Sequence, residues 1–415
     1  MLDDRRLPAV VRDQVARFSA KLSAGLKRPV QKFIGQMLFG MLAAKDIKLS
    51  NVARSLKEVI SLGKTETRLS RNVSTQVIAE PVTAALIQDG AAGINDDEVP
   101  AIDISDIAKP YARKMECLTT VRDGSAQGEL TKGYRLLGVV GADVRGDRLT
   151  PLLMDLYSQD ADDFESKNTQ ILAAIDRVRA ATGEHGIWAI DRGGDRGHLL
   201  EGLLSRGCRF VVRLRGDRNL KDKRGRLRNS MMLAVGMRRR EVAEIVTEDA
   251  GTRKRRRVRI GCRRVRLPKR DEWMTLVVVK GFGEKPLLLL TDVEVKRLRE
   301  VLEIYLTRWK IEEIHRFLKS SYHIEDVRGR SYVGLRNLAA LVMAAFYFLA
   351  VVLGARLELS ILLRKVLAKV QRFFEVPEFR FYALADGLVR VLFRIGHSPP
   401  VKTPDAKTPQ LTFAL

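Results

Sequence analysis

Four polar residues near position 310 fall on one face of a predicted helix. Tyr305, Arg308, Glu312 and Lys319 lie at offsets of 0, 3, 7 and 14 residues, which at about 100° per residue keeps them within about 60° of arc. The apolar residues on a second face are Ile304, Ile311, Ile314 and Leu318. A phenol, a carboxylate and two cations in one stripe are either the solvated face of an amphipathic helix or one wall of a site for an anion and a metal.

The spacing of these residues, Y-x2-R-x3-E-x6-K, resembles the signature of the DDE-type insertion-sequence transposases, in the branch named after insertion sequence four. Tyr305, Arg308, Glu312 and Lys319 fill every position of that signature. The resemblance implies that Glu312 is the third acid of a metal-binding triad. It also implies that Tyr305, Arg308 and Lys319 hold DNA phosphates beside it, and that two aspartates lie upstream, each at the end of a strand.

Two aspartates follow apolar runs of strand length. Asp103 follows Val99-Pro-Ala-Ile, and Asp191 follows Gly186-Ile-Trp-Ala-Ile. We therefore expect both carboxylates to leave the ends of strands and to converge with Glu312 on one edge of a sheet. Carboxylates suit Mg²⁺, and a pair of such ions can activate the attacking oxygen and stabilise the leaving oxygen of a phosphoryl displacement. Asp103, Asp191 and Glu312 are thus the predicted catalytic ligands of two Mg²⁺ ions, for which Mn²⁺ can substitute.

Other acids compete for the first position of this triad. Asp106 lies three residues beyond Asp103, and Asp96 and Asp97 lie in the preceding segment. The placement after a strand favours Asp103, as does the resemblance of Asp103-Ile-Ser-Asp-Ile-Ala-Lys109 to the first motif of the family.

The second and third positions also have rivals. Asp195 competes with Asp191, but Asp191 directly ends its strand and is followed by Arg192-Gly-Gly, as in the family's second motif. Glu313 could replace Glu312 only by breaking the spacing of the signature.

The charge of the chain indicates a polyanionic partner. There are 74 Lys and Arg against 50 Asp and Glu, for a formal net charge of +24 and a pI near 10.2. This favours nucleic acid over an anionic membrane or simple solubility. The resemblance specifies double-stranded DNA, both the element's terminal inverted repeats and a target, bound by a homodimer in a synaptic complex.

The cysteines and the N-terminal residues indicate the cellular compartment of the protein. Cys117, Cys208 and Cys262 lie far apart with no CxxC pair, which argues against a zinc ribbon and a disulfide framework. The sequence MLDDRRLPAVVRDQ has no apolar core of a secretory signal. We expect a cytoplasmic, nucleoid-associated protein.

One apolar segment could be read as a membrane span. The chain from Asn337 to Ala355 has no charged residue. It stands alone and is flanked by Arg336 and Arg356, so we interpret it as the buried central helix of a large core, and predict no membrane partner.

Residues 1–95 are predicted to form a helical DNA-end-binding domain. Amphipathic stretches cover residues 31–44 and 51–60, with Ser50 as the N-cap of the second. The sequence LSNVARSLKEVISLGKTETRLSRNV resembles a helix-turn-helix, with Arg68 and Arg71 as DNA contacts. A generic helical bundle is the alternative, and residues 90–100 are the predicted linker.

The remaining chain has the order of a ribonuclease-H-like α/β fold. Residues 96–216 give three strands and then alternating helix and strand, and residues 217–292 form a β-rich basic insertion. Residues 293–397 contain the catalytic helix and C-terminal helices, and residues 398–415 a disordered tail.

Further cations and one aromatic residue are predicted DNA contacts. The run Thr252-Arg-Lys-Arg-Arg-Arg257 and the following Arg259 form the most basic segment, which is either a solvated charge run or a surface for the DNA backbone. Trp309 either stacks on a displaced base or packs in the core. His315 and His323 lie outside the signature, and we treat both as structural.

The resemblance implies cut-and-paste transposition. Metal-activated water cuts one strand at the element's end, and the resulting 3′-hydroxyl attacks first the opposite strand and then the target. The alternatives are a ribonuclease-H-like nuclease without strand transfer and a non-catalytic DNA-binding descendant, the latter disfavoured because every acidic position is filled.

Overall fold

The computed structural model describes residues 7–123, 128–238, 241–249, 252–353 and 380–393. These residues form a mixed α/β fold around one large mixed sheet. The helices are α1 (Leu7–Leu22), α2 (Arg28–Ala44), α3 (Leu49–Leu56), α4 (Leu62–Thr75), α5 (Ala79–Gly90), α6 (Lys167–Thr182), α7 (Gly197–Ser205), α8 (Ser230–Ala234), α9 (Leu298–Thr307), α10 (Trp309–Tyr322), α11 (Tyr332–Tyr347) and α12 (Phe381–Leu392). The strands are β1 (Val99–Ala108), β2 (Thr119–Asp123), β3 (Glu129–Ala142), β4 (Leu149–Tyr157), β5 (Trp188–Ile190), β6 (Phe210–Arg213), β7 (Asn219–Lys221), β8 (Leu227–Asn229), β9 (Glu241–Asp249), β10 (Thr252–Val265), β11 (Met274–Lys280) and β12 (Leu287–Thr291).

The sheet runs in the order β2-β3-β1-β5-β6-β12-β11-β10-β9, and β4 also pairs with β3. The central pairs β1–β5 and β5–β6 are parallel. The flanking pairs, such as β1–β3 and β6–β12, are antiparallel. The predicted α/β class with a mixed sheet is therefore confirmed, and the two parallel pairs place Ile102, Ile190 and Val212 side by side, so that the residues after them lie at the same level of the sheet.

The alternation of side chains along β1 decides which acids face which helices. Ala101 packs in the core that contains α10 and α11, whereas Ile102 packs in the core that contains α6 and α7. Successive side chains of a strand point to opposite faces. Asp103 therefore lies on the α10 face of the sheet, and Asp106 lies on the α6 face.

The predicted insertion does not form a separate layer. Strands β9 to β12 extend the central sheet beyond β6, and the short strands β7 and β8 form a hairpin of their own. Buried residues of β10, β11 and β12 pack against α9, including Ile260, Val277 and Leu289. The basic segment is thus joined to the active-site strands through continuous backbone pairing.

The N-terminal helices share a core with the sheet. Buried residues of α1 to α5 belong to the same apolar cluster as α11, with Phe18 stacked on Tyr347 at a centroid distance of 5.6 Å. The prediction of Ser50 as an N-cap is wrong, because α3 begins at Leu49 and Asp46 accepts the backbone N–H of Lys48 just before it. Residues 57–61 then separate α3 from α4, and the assignment of a helix-turn-helix stays a prediction.

The predicted catalytic helix is two helices. Helix α9 ends at Thr307 and α10 begins at Trp309, with Arg308 between them at helical dihedral angles of φ −55° and ψ −28°. Tyr305 consequently lies on α9, and Glu312 and Lys319 lie on α10. The apolar residues predicted on the second face are buried.

The apolar C-terminal segment is mostly inside the fold. Residues Tyr332–Val352 are long and apolar enough to cross a membrane, but 83% of their most apolar window is buried. This agrees with a central core helix, whose last residues form a π-helical turn at Phe348–Val352. The C-terminal helices predicted within 354–379 and the tail predicted at 398–415 lie outside the described residues.

Candidate active site

Arg308 is the centre of the site. Its side chain is 7% exposed, and its Nη2 donates to Oε1 of Glu312 at 2.5 Å while Nη1 lies 3.5 Å from Oδ1 of Asp103. Burial alone would lower the pKa of Arg308, but Asp103 and Glu312 outweigh it and raise that pKa. The break between α9 and α10 thus places a fixed positive charge between two of the three predicted metal ligands.

Asp103 lies in the middle of β1, so the prediction that it ends a strand is wrong. Strand β1 continues to Ala108 because its second half pairs with β3 as far as Gly133. The pKa of Asp103 is raised to about 6, chiefly by burial; Arg308 opposes the rise, and the charges of Asp191 and Glu312 contribute to it. Asp191 and Glu312 are therefore close enough to Asp103 to affect its ionisation.

Asp191 directly follows β5, as predicted, and caps the short 3-10 turn Arg192–Gly194 by accepting the backbone N–H of Gly193 at 2.7 Å. Its rival Asp195 has a side chain only 1% exposed, which is bound by Arg218 and by the backbone N–H of Arg215. Asp195 therefore holds two loops together, and Asp191 is the acid that remains open to a ligand.

The other rival acids point elsewhere. Asp106 lies 3.7 Å from Arg135 on the opposite face of β1. Asp96 is exposed and pairs with His185. Glu313 pairs with Arg316 at 2.6 Å on the outer side of α10. The geometry favours Asp103, Asp191 and Glu312, whose catalytic role stays a prediction.

Tyr305 is buried behind Arg308. It is 1% exposed, its ring centroid lies 5.8 Å from the Arg308 guanidinium carbon, and its hydroxyl lies 3.5 Å from Nη1 of Arg213. The sequence analysis missed Arg213, although an arginine at the end of the buried strand Phe210–Arg213 is a usable signal. Tyr305 and Arg213 thus support the same wall of the site from two elements.

Lys319 is also held by an acid. Its Nζ lies 3.2 Å from Oε1 of Glu325, which accepts the backbone N–H of Ala108 at 3.1 Å. The buried Lys109 donates to the carbonyl oxygens of Ile324, Glu325 and Val327 at 2.6 to 3.2 Å, and burial lowers its pKa to about 8. Lys109 and Glu325 therefore fasten the end of α10 to β1, the strand that carries Asp103; neither role was predicted.

The donor set suits a hard divalent cation, but the acids are not gathered around one. Among the described residues, no three His, Cys, Asp or Glu side chains stand close enough to hold a metal ion. Arg308 instead balances Asp103 and Glu312. Burial and the charges of Asp191 and Glu312 raise the pKa of Asp103, and a cation near these carboxylates would oppose that rise.

The remaining predicted DNA contacts lie outside this centre. Trp309 is 42% exposed at the start of α10. Arg257 and Arg259 are exposed on β10, whereas Arg68 of α4 is bound to Glu58 at 2.7 Å and Arg71 is exposed. The structure therefore leaves Arg71, Arg257, Arg259 and Trp309 accessible and holds Arg68 in an ion pair.

His315 packs close to the acids without joining them. Neither ring nitrogen has a hydrogen-bond partner in the described part of the chain, and burial, with Lys319 and Arg308, lowers its pKa to about 3. A Cβ at Gly138, the β3 neighbour of Asp103, would come within 2.9 Å of Nε2. A neutral ring resting on a glycine fits the structural role expected for His315.

Residues 128–348, just over half of the chain, match the family described as Transposase DDE domain. The match contains Asp191 and Glu312 and begins after Asp103. A comparison with curated proteins gives no match. Among solved structures, the chain is similar to one in the cryo-EM structure of the piggyBac transposase synaptic complex with hairpin DNA, at 12% identity over 95% of this chain and 81% of that chain, with a TM-score of 0.44.

The chain belongs to the DDE transposase domain family. It is a transposase, a protein of DNA recombination encoded by a transposable element. The family implies a metal-dependent enzyme that cleaves DNA.

Proposed function

We propose that this transposase performs cut-and-paste transposition and belongs to the insertion-sequence-four branch. Asp103, Asp191 and Glu312 are its catalytic acids, on a ribonuclease-H-like core. The observation that carries the proposal is the contact of Arg308 with both Asp103 and Glu312, in a site where Asp191 also raises the pKa of Asp103. Strands β1 and β5 and helix α10 thereby contribute to one site.

Asp103, Asp191 and Glu312 would hold two divalent ions, Mg²⁺ with Mn²⁺ as a substitute. When bound, such ions stabilise the negative charge that develops on the attacking and leaving oxygens of a phosphoryl displacement. The donors are carboxylate oxygens from three elements, which is the ligand chemistry that Mg²⁺ selects.

The cutting step replaces an ester oxygen on phosphorus by the oxygen of water. The oxygen of water forms a bond to phosphorus, the bond from phosphorus to the 3′-oxygen breaks, and the 3′-oxygen leaves as a hydroxyl after taking a proton. In the joining steps that hydroxyl attacks a phosphodiester of the opposite strand and expels the 3′-oxygen of the flanking DNA; water then cleaves the new bond and restores the 3′-hydroxyl, which attacks the target and expels a 3′-oxygen there. Every step is the same displacement, so one constellation of acids serves them all.

The basic side chains of the site would bind phosphate by exchanging partners. Arg308 can offer its planar fork to a phosphate when its carboxylate partners take other ligands. Lys319 would leave Glu325 in the same way, while Tyr305 and Arg213 support Arg308 from behind. Trp309, exposed at the start of α10, can reach a displaced base.

The ends of the element would be recognised by the N-terminal helices. Exposed positions of α4 include Lys64, Thr67 and Arg71, which lie on one face at helical spacing. Arg68 contributes through its ion pair with Glu58, which fixes α4 to the preceding turn. We further propose that double-stranded DNA is bound by a homodimer, in the cytoplasm and on the nucleoid.

Glu312→Gln tests the proposal, with Glu313→Gln as a matched control on the same helix. Purified proteins are incubated with Mg²⁺ or Mn²⁺ and labelled DNA carrying the ends that flank the gene. Loss of a metal ligand should lower strand cleavage on the order of 10³-fold, equivalent to several kcal/mol of transition-state stabilisation. Glu313→Gln should cut like the wild type, because Glu313 lies outside the site.

The products separate the possible outcomes. Cleavage at the element's end followed by joining to target DNA supports transposition, whereas cleavage without joining indicates a nuclease. Equal cleavage by Glu312→Gln and the wild type would remove Glu312 from the site.

A further inference from the structure

A cavity opens beside Asp191 on the side of β6. It has a volume of about 440 Å³ and is lined by Asp191, Arg192, Gly193 and Arg215. Both arginines are exposed, and neither forms an ion pair with any side chain in the described ranges. The cavity thus combines a catalytic acid with two cations that have no carboxylate partner, unlike Arg308 and Lys319.

The walls of this cavity are fixed by a buried network. The carboxylate of Asp195 binds Arg218 and accepts the backbone N–H of Arg215 at 2.7 Å, while Nε of Arg215 lies 3.4 Å from the carbonyl oxygen of Arg192. The loop after β5 is therefore tied to the loop after β6. Binding of an anion would not require either loop to be ordered first.

The chemistry of the walls selects a phosphodiester. Guanidinium groups present planar pairs of donors that match phosphate oxygens, and Gly193 contributes no side chain that would obstruct the approach of a ligand. The volume lies within the range of about 300–1,000 Å³ typical of ligand pockets, so a phosphate can enter with its flanking sugar.

The position of the cavity indicates which phosphate it takes. Strands β1, β5 and β6 are consecutive neighbours in the sheet, with Asp103 on β1 and Asp191 at the end of β5. Arg308 contacts Asp103 of β1, whereas Arg192 and Arg215 belong to the loops after β5 and β6 and line the cavity beside Asp191. A DNA backbone that passes Asp103 and Asp191 across these strands would meet Arg308 on one side of the bond being cut and the two arginines of the cavity on the other.

We propose that Arg192 and Arg215 bind the phosphodiester next to the scissile one on the cleaved strand. This inference rests on the proposed function and assigns a second phosphate site to the same catalytic centre. Arg308 and Lys319 then hold one side of the cleaved bond, and the cavity holds the other. The cleaved strand would be fixed at two points, which orients the phosphorus for in-line attack.

The test pairs protein variants with neutralised phosphates. The end-bearing duplex is prepared with a single methylphosphonate at each linkage around the cleavage position, and its affinity is measured without divalent metal. The proteins are the wild type, Arg215→Gln, Arg192→Gln and the control Arg224→Gln, which removes an equal charge from the exposed β7–β8 turn. Thermal melting verifies that each variant is folded.

For the wild type, one methylphosphonate adjacent to the scissile linkage should weaken binding about tenfold, as loss of a charge-assisted contact predicts. Arg215→Gln should bind the unmodified duplex about tenfold more weakly and be insensitive to that same methylphosphonate. Arg192→Gln should show the same loss of affinity and the same insensitivity to the methylphosphonate. Arg224→Gln should be as sensitive to the methylphosphonate as the wild type.

Two results would overturn the inference. One is an equal loss of affinity in Arg215→Gln and Arg224→Gln, which would reflect net charge alone. The other is undiminished sensitivity of Arg215→Gln and Arg192→Gln to every methylphosphonate. Because this readout is binding, it is independent of catalysis: failure of the wild type to cut the unmodified duplex with Mg²⁺ or Mn²⁺ would count against the proposed function instead.

Discussion

Arg308 and Lys319 in the active site each lie against a carboxylate, whereas three arginines on β10 face solvent without one. Arg308 contacts Asp103 and Glu312, and Lys319 contacts Glu325. The arginines of β10 that are exposed at alternate positions are Arg255, Arg257 and Arg259. None of them forms an ion pair within the described part of the chain, although Glu244 stands opposite Arg257 in the register.

This difference separates two tasks. A cation paired with a carboxylate contributes little to the long-range electric field that attracts DNA. In the candidate site such a cation also reduces the repulsion between neighbouring carboxylates until a ligand binds. Arginines two residues apart on a strand form a row with a spacing of about 6.8 Å, which attracts a polyanion at a distance. We therefore expect the cations of the candidate site to exchange partners when phosphate binds, and those of β10 to attract DNA.

The largest effect is expected from removing the row on β10. The triple variant Arg255→Gln, Arg257→Gln, Arg259→Gln should lower DNA affinity on the order of 10²-fold at low salt, and should reduce the slope of log affinity against log salt by about 2.7. Titrations across a salt series measure both quantities. A variant that neutralises Lys223, Arg224 and Lys269 removes the same charge, and an equal loss in that control would refute a specific role for β10.

A smaller effect is expected from removing the central cation of the pocket. Arg308→Met leaves Asp103 and Glu312 unbalanced and should lower the free energy of unfolding by about 2 kcal/mol, less than for a fully buried pair because Glu312 is 40% exposed. Chemical denaturation measures this loss, and Mg²⁺ or Mn²⁺ should restore more stability to the variant than to the wild type. Arg316→Met is the control, since its partner Glu313 lies outside the site; an equal metal response in both variants would contradict the assignment.

The smallest effect concerns Lys319. Glu325→Gln keeps an acceptor for the backbone of Ala108 but frees Lys319 from its charged partner, so it should tighten DNA binding about threefold at low salt. Asp326→Asn, next in the chain, makes the same change of charge and leaves the contact with Lys319 intact. If both variants gain equally, Lys319 is not restrained by Glu325.

The sequence was most informative where a local pattern determines the structure. An apolar run predicted the strand before Asp191, and the 3.6-residue period predicted the buried face of Ile311, Ile314 and Leu318. The spacing of Tyr305, Arg308, Glu312 and Lys319 led to the family that residues 128–348 match. These features depend on neighbours within a few residues in the chain.

Features that depend on distant partners were missed. The length of β1 depends on its pairing with β3, so Asp103 was expected at a strand end. The contacts of Arg308 with Asp103 and of Lys109 with the segment after α10 join residues about two hundred positions apart. The break between α9 and α10 at Arg308 could not be predicted from the sequence, because no Pro or Gly lies beside Arg308.

The continuity of the sheet fixes the distance between the arginine row on β10 and the strand that precedes Asp191. Four steps separate β5 from β10 in the strand order, and neighbouring strands lie about 4.8 Å apart, so the arginine row stands about 19 Å from the strand that carries Asp191. Arg255, Arg257 and Arg259 alternate along β10 with Val258 and Ile260, which pack with α9 and with Ala189, the β5 neighbour of Ala101. The arginine row therefore lies on the face of the sheet opposite Asp103, and DNA bound to it would have to pass around the sheet to reach the candidate acids.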